Sequence, residues 1–246
     1  MSKLNIVMAA FNQFKMTDRS ICSILKNTNL DFKLIVVNNG STDETSDMIQ
    51  KYINDIVYVE AEKNEGCGIG RNIGLRLLDD NCEYVILVDN DIYTPVGWAE
   101  KLIYFMEKHP EIGLGGPATN FAGSPQLIDN VPNLETDEEI EEFSKNYKSD
   151  KEYSTVPYRW PVIGFCQIVR KSIYDKIGLF DENFKLYGCE DNDFCYRTER
   201  EGWQLAYIDS IFVYHHGHGG LGLLGDEGSL QWSKNRDYFE EKHGFI

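Results

Sequence analysis

The chain has 246 residues, 42% of them hydrophobic, and sets 24 Lys and Arg against 40 Asp and Glu for a net charge of −16. That length and apolar share suit a globular protein with a real core. The acidity excludes a nucleic-acid backbone or an anionic membrane as main partner, since both demand basic patches, but leaves open a small anionic ligand held through a metal.

In chain order, residues 4–10 are a short apolar run that predicts a buried strand, followed by a loop over 11–14 and a helix over 16–27, where Ile21, Ile24 and Leu25 recur at helical spacing. Residues 31–37 predict a second buried strand. It ends in Asn38-Asn39-Gly40-Ser41-Thr42-Asp43, a turn-rich cluster that can cap a helix over 42–52. A third strand is expected over 56–59, then a helix over 66–78 entered through a glycine-rich loop. Residues 84–94 hold the organising stretch: Val85 to Val88 are apolar and stop at Asp89, Asn90 and Asp91. A helix follows over 98–108.

Past Pro110 the character changes. Residues 113–123 are rich in glycine, and 134–150 are strongly acidic, which reads as a solvated helix face or mobile insert, with the wall of an acceptor site as a second reading. A strand over 162–169, a helix over 171–177 and a turn over 178–182 lead to an acidic helix start within 188–203. A last strand is expected over 205–216, a glycine-rich mobile stretch over 217–228 that serves as a lid or as a linker, and an amphipathic helix over 229–243. Strand and helix alternate through the first half, the mark of an α/β layered domain. No repeat or linker divides the chain, so one domain over 1–246 is expected. The six cysteines show no Cys-x-x-Cys spacing and read as reduced thiols in a cytoplasmic protein. No segment has a signal-peptide layout or the length of a membrane span.

Side chains two apart on a strand point the same way, so Asp89 and Asp91 converge. Two close carboxylates repel unless a cation lies between them, and a hard divalent ion with open positions for phosphate answers that need. A solvated turn would also account for an isolated acidic pair. Yet three polar clusters, at residues 9–12, 38–43 and 89–91, fall at strand carboxyl ends, where open α/β sheets bind ligands. Glu190, Asp191 and Asp193 stand in a first helical turn, where the helix dipole alone accommodates them.

These segments together, from Ile6-Val7-Met8-Ala9-Ala10-Phe11-Asn12 through Asn64-Glu65-Gly66, Arg71-Asn72-Ile73-Gly74, Asp89-Asn90-Asp91, Gly188-Cys189-Glu190-Asp191 and Tyr214-His215-His216, resemble in order and spacing the family 2 glycosyltransferases. The resemblance implies the GT-A fold of the nucleotide-diphospho-sugar transferases, a Rossmann-like domain with a mostly parallel central sheet flanked by helices. Residues 1–110 would be its nucleotide-sugar half and 111–246 its acceptor half. It implies an inverting, metal-dependent transfer of a hexosyl unit from a nucleoside diphosphate, uridine by family habit, to an acceptor hydroxyl on a glycan, a lipid carrier or a protein. Asp91 and His215 would ligate manganese or magnesium, with Asp89 assisting or holding the ribose; His216 and His218 are the alternatives to His215. Ala9, Phe11 and Asn39 would seat the base, with Asn90 in the middle of the acidic motif. Gly66 and Arg71 would stand near the diphosphate, Arg71 equally well as a structural ion pair. Asp191 would be the base, Glu190 would position the acceptor hydroxyl or replace Asp191 as base, and Asp193 would cap. Arg197 would tie that helix to the core, and Trp160 and Phe165 would line the sugar pocket or join the core, the core being the reading preferred for Phe165. The chain departs from the family at Asn38 and Asn39, where Asp is common. Two other classes fit parts of the pattern. A nucleotidyltransferase would want basic residues at the first strand, where residues 9–15 offer only Lys15. A non-catalytic sugar-nucleotide or glycan-binding module would have no need of the full carboxylate set.

Overall fold

Residues 3–123, 125–217 and 221–244 are described by the structure, a computed structural model, with 221–227 as backbone alone. The first three strands, β1 (Leu4–Ala10), β2 (Phe32–Asn38) and β3 (Val57–Glu60), lie where the apolar runs place them. β4 (Tyr84–Asp89) carries the acidic motif at its end, and the two-residue β5 (Ile92–Tyr93) follows. Further strands are β6 (Ile112–Ala118), β7 (Ser154–Val156), β8 (Cys166–Arg170), β9 (Gln204–Phe212) and β10 (Tyr214–His215). The main sheet runs β3-β2-β1-β4-β8-β6-β9-β7, and β5 pairs with β10 in a separate ribbon. The pairings β3-β2, β2-β1, β1-β4 and β6-β9 are parallel, while β4-β8, β8-β6 and β9-β7 are antiparallel.

The central strands are apolar on both faces because both are covered. On one side, Ile6, Met8, Ile86 and Val88 pack with helices α1 (Phe14–Asn27), α2 (Thr45–Ile49) and α4 (Trp98–Lys108) through Ile21, Ile24, Met48, Trp98 and Leu102. On the other, Val7, Val37, Val85 and Leu87 pack with α3 (Cys67–Leu75), α6 (Lys171–Ile177) and α7 (Glu190–Arg200) through Leu75, Ile173 and Phe194. Each such aliphatic side chain contributes about 1.5–3 kcal/mol by leaving water.

One strand was not anticipated and one expectation is corrected. Within the glycine-rich stretch after Pro110, to which the sequence assigns no element, Ile112–Ala118 is β6, buried at every residue. Its glycines answer a packing demand. A Cβ on Gly116 would lie 2.5 Å from Val162 Cγ1 and 2.7 Å from Gln126 Nε2, and one on Gly113 would lie 2.7 Å from Trp203. The last helix begins earlier than residue 229. It is α8 (Leu221–His243), so the glycine-rich mobile stretch is helical in backbone from Leu221 onward. His218 and part of the expected lid lie outside the described residues. The acidic run is a solvated helix, α5 (Asp137–Asn146), started by a capping box in which Thr136 Oγ1 accepts from Glu139 N at 3.2 Å and Glu139 Oε2 accepts from Thr136 N at 3.0 Å. All six cysteines are unpaired. Among the described residues, no helix is long and apolar enough to cross a membrane.

Candidate active site

The carboxyl ends of β1, β2 and β4 meet at one edge of the sheet, since Ala9 pairs with both Val37 and Asp89. Beyond β4 the chain turns sharply into β5, and β10 folds back on it with His215 opposite Ile92. That ribbon delivers an imidazole to the acidic motif. Asp89, Asp91 and His215 each bring a ligand atom within 4.8 Å of the others, with His215 Nε2 3.2 Å from Asp91 Oδ1.

The imidazole is oriented from behind. His215 Nδ1 lies 2.6 Å from the Phe121 carbonyl and so carries the proton, which it donates there. Nε2 then faces the carboxylates: protonated, it donates to Asp91, and deprotonated, it offers a cation its lone pair, as a metal-ligating histidine does. The ring stacks on Phe165 at 4.9 Å and meets Phe121 edge-on at 5.7 Å. Asn120 bonds both backbone groups of His215, each at 2.9 Å. Burial pushes Asp91 up, but the His215 hydrogen bond and charge outweigh it and hold this carboxyl below its usual range. Burial pulls His215 down, but Asp91 overrides it and raises the imidazole. Two carboxylates and an imidazole with a directed lone pair fit a manganese-type ion, which takes both oxygen and imidazole ligands. His216 is placed differently: its Nε2 takes a hydrogen bond from Arg19 Nη1 at 2.6 Å.

A second carboxylate pair stands across a buried guanidinium. Arg71 is 2% exposed. Its Nη2 donates to Asp89 Oδ1 and to the Gly164 carbonyl, both at 2.8 Å, and its Nη1 lies 3.7 Å from Glu190 Oε1. The ion-pair reading of Arg71 therefore holds, and the pair bridges the two acidic groups. Glu190 is buried, and its Oε2 accepts from Gly188 N at 2.8 Å. Burial, then the neighbouring Asp191 charge, lifts its carboxyl to about 7 against the pull of Arg71. Asp191 Oδ1 accepts from Asn192 N at 2.8 Å and Oδ2 from Gly164 N at 3.4 Å. Burial raises it as well, with Arg71 opposing.

Other expected residues fall into two groups. Asn39 sits beside Ala9 under α3, where Gly70 lets the helix approach: a Cβ there would be 3.0 Å from Asn39 Cγ and 3.2 Å from Ala9 Cβ. Asn39 Nδ2 donates to Asn64 Oδ1 and to the Gly66 carbonyl, while its buried Oδ1 has no partner. Phe11 lies half-buried in the loop after β1. Asn90 is turned into the scaffold and spends its amide on the Asn12 carbonyl at 3.0 Å and Thr17 Oγ1 at 2.8 Å. Gly66, at φ 107°, packs its backbone against Leu186, so a Cβ would lie 2.6 Å from Leu186 N. Phe165 is core and Trp160 is exposed. Arg197 ties α7 inward through Asp193 and the carbonyls of Ile177 and Leu179. Asp193 does more than start its helix, as Lys242 Nζ and His243 Nε2 of α8 reach its Oδ1 at 2.6 and 2.8 Å.

Sequence reasoning missed Phe121, Asn120 and Gly164. Phe121 and Gly164 act through backbone groups, which leave no residue-type signal, and Asn120 lies in a stretch whose glycines masked its order.

Comparison with known proteins bears on this geometry. The family model described as Glycosyl transferase family 2 matches residues 5–178. Hyaluronan synthase of Pasteurella multocida is 27% identical over 241 residues, covering 86% of this chain and 24% of its own length. The chain spans about a quarter to a third of the length of the first curated relatives it matches. Staphylococcus aureus TarS 1–349 in complex with UDP superposes with a TM-score of 0.64 at 20% identity, over 87% of this chain and 60% of that one. GalNAc-T7 with UDP, GalNAc and Mn2+ does so with a TM-score of 0.69 at 16% identity, over 96% and 48%. The matched span runs from β1 through α6, taking in the strand ends where the acidic motif, Asn39 and Arg71 gather, and on that match the chain belongs to glycosyl transferase family 2.

Proposed function

We propose that this chain moves a hexosyl unit from a nucleoside diphosphate, UDP in preference, to an acceptor hydroxyl with inversion. The observation that carries the reading is the placement of two acidic groups on either side of one buried guanidinium, Asp89 with Asp91 and His215 on one side and Glu190 with Asp191 on the other. One side suits the departing diphosphate and the other the incoming hydroxyl. Attack from opposite the leaving group inverts the anomeric centre.

Asp91 and His215 would hold a divalent cation, manganese or magnesium, with Asp89 completing the set. Such an ion supplies positive charge against the negative charge that grows on the leaving diphosphate. Asp191 takes the acceptor proton, and its raised basicity suits that task. Glu190, beside it, positions the acceptor hydroxyl. The base lies between Phe11 and the pocket of Ala9 and Asn39. Because both Asn39 amide hydrogens are spent, only an acceptor is left there. It satisfies a base that presents an N–H, as uracil does at its ring nitrogen. The solved relatives that hold UDP, one of them with Mn2+, favour uracil.

Calorimetry of the whole chain against UDP, GDP, ADP and CDP, with and without manganese, tests this. UDP binding that requires manganese is the expected result. A folded protein that binds none of the four under either condition overturns it.

A further inference from the structure

Three of the five residues from Lys185 to Cys189 occupy the left-handed backbone region: Leu186 at φ 53°, Gly188 at 100° and Cys189 at 68°. Two of these carry side chains, for which this is a strained conformation that persists only where the surroundings over-determine it. The segment also has two tasks. The Leu186 carbonyl accepts from Cys67 N at 2.8 Å, which joins it to the entry of α3 on the donor side. Gly188 N donates to Glu190 Oε2, and the Cys189 carbonyl accepts from Asp193 N at 2.9 Å, which starts α7. The direction in which Glu190 and Asp191 leave the turn is set here.

One side chain of α8 bonds three carbonyls of this turn from outside. Asn235, on α8 and 2% exposed, aims Nδ2 at three carbonyls: Lys185 at 2.8 Å, Tyr187 at 3.0 Å and Gly188 at 3.0 Å. Its Oδ1 accepts from Lys185 N at 3.3 Å and from Gln231 Nε2 at 2.9 Å. The helix that carries Asn235 is itself fixed. Tyr238 and Lys242 donate to Asp181 Oδ2 at 2.9 and 2.7 Å, and Lys242 also reaches Asp193. Trp232, one turn earlier, lies against Gly188, where a Cβ would meet its ring at 2.3 Å.

We propose that Asn235 is a positioning residue for sugar transfer: through the carbonyls of Lys185, Tyr187 and Gly188 it fixes the strained turn that aims Glu190 and Asp191 at the acceptor. It touches no substrate. The inference rests on the reading of Glu190 and Asp191 as the acceptor-side carboxylates.

The test uses the full chain with Asn235→Asp and Asn235→Ala. Aspartate keeps the size and the acceptor but faces the three carbonyls with oxygen instead of hydrogen. The readouts are UDP affinity with manganese, and kcat and donor KM for transfer from the UDP-sugar that binds. Displacing reacting groups by an ångström costs about 100-fold in rate, so kcat falls by about that factor in both variants, while UDP affinity and donor KM stay within twofold. Turnover within threefold of wild type in either variant overturns the proposal, and so does a donor affinity that falls along with kcat. If both variants lose cooperative unfolding, Gln231→Ala, which removes only the amide that orients Asn235 Oδ1, decides: an unchanged kcat overturns the proposal, and a drop of about threefold at constant KM supports it. Asp191→Asn run alongside separates the two levels. If it transfers at the wild-type rate, the acceptor-side reading fails. If it is inactive while the Asn235 variants are normal, only the role of Asn235 fails.

Discussion

Replacing Glu190 with Gln keeps the shape of the side chain and an oxygen for Gly188 N, and removes a buried charge. In the folded protein the Glu190 carboxyl lies at about 7, against an ordinary value of 4.5, because burial and then the Asp191 charge disfavour ionisation more than Arg71 favours it. A carboxyl raised on folding gives stability that is fully present below 4.5 and is lost as pH climbs through about 7, since over that window the native state binds the proton that the unfolded chain has released. At 1.36 kcal/mol per pH unit the interval is worth roughly 3 kcal/mol. Glu190→Gln should therefore match wild type near pH 4 and exceed it by roughly 3 kcal/mol at pH 8. Urea unfolding from pH 4 to 8 in the presence of a chelator, which keeps the nearby histidine and carboxylates free of metal, measures the difference. A stability difference between variant and wild type that stays flat across that range refutes the buried-charge reasoning.

Other variants probe the rest of the site and the scaffold. Asp91→Ala should weaken manganese-dependent UDP binding by at least about 100-fold, read by calorimetry. Asp191→Asn should leave that binding intact while transfer falls by about 10²–10⁴-fold, the usual contribution of a positioned base; near-normal turnover would remove Asp191 from that role. Gly116→Ala should destabilise the fold by roughly 1–3 kcal/mol in urea, because its Cβ collides with Val162, Gln126 and the Cys166 carbonyl in a packed interior.

The first half of the fold was legible because each buried strand there is a short apolar run closed by polar turn residues, as Leu34 to Val37 before Asn38 shows. β6 was not, because glycine at 113, 115 and 116 signals a loop to any reading by residue type, whereas here it admits Trp203, Ile208 and Val162. Asp89, Asp91 and His215 converge as their order suggested. Arg71 was legible as a charge but not as a bridge, since Glu190 and Gly164 lie far off in sequence. Asn90 stands inside the acidic motif yet spends its amide on Asn12 and Thr17. Strand alternation already points it away from its two neighbours. The hold of Asn235 on carbonyls some 50 positions away leaves no pattern in the sequence at all.

The manner in which His215 is brought home has a consequence for the lifetime of the protein. Asn120 grips it from 95 positions away and Phe121 from 94, so the imidazole reaches Asp91 only after a long loop of chain has closed. An ion shared by Asp89, Asp91 and His215 would act as a clasp on that loop, and only the folded chain offers the clasp. Ion at a hundred times its dissociation constant would then add about 2.7 kcal/mol to stability. Starved of the ion, the domain would lose its robustness together with its catalytic charge, so idle copies would also be the ones most readily unfolded and cleared.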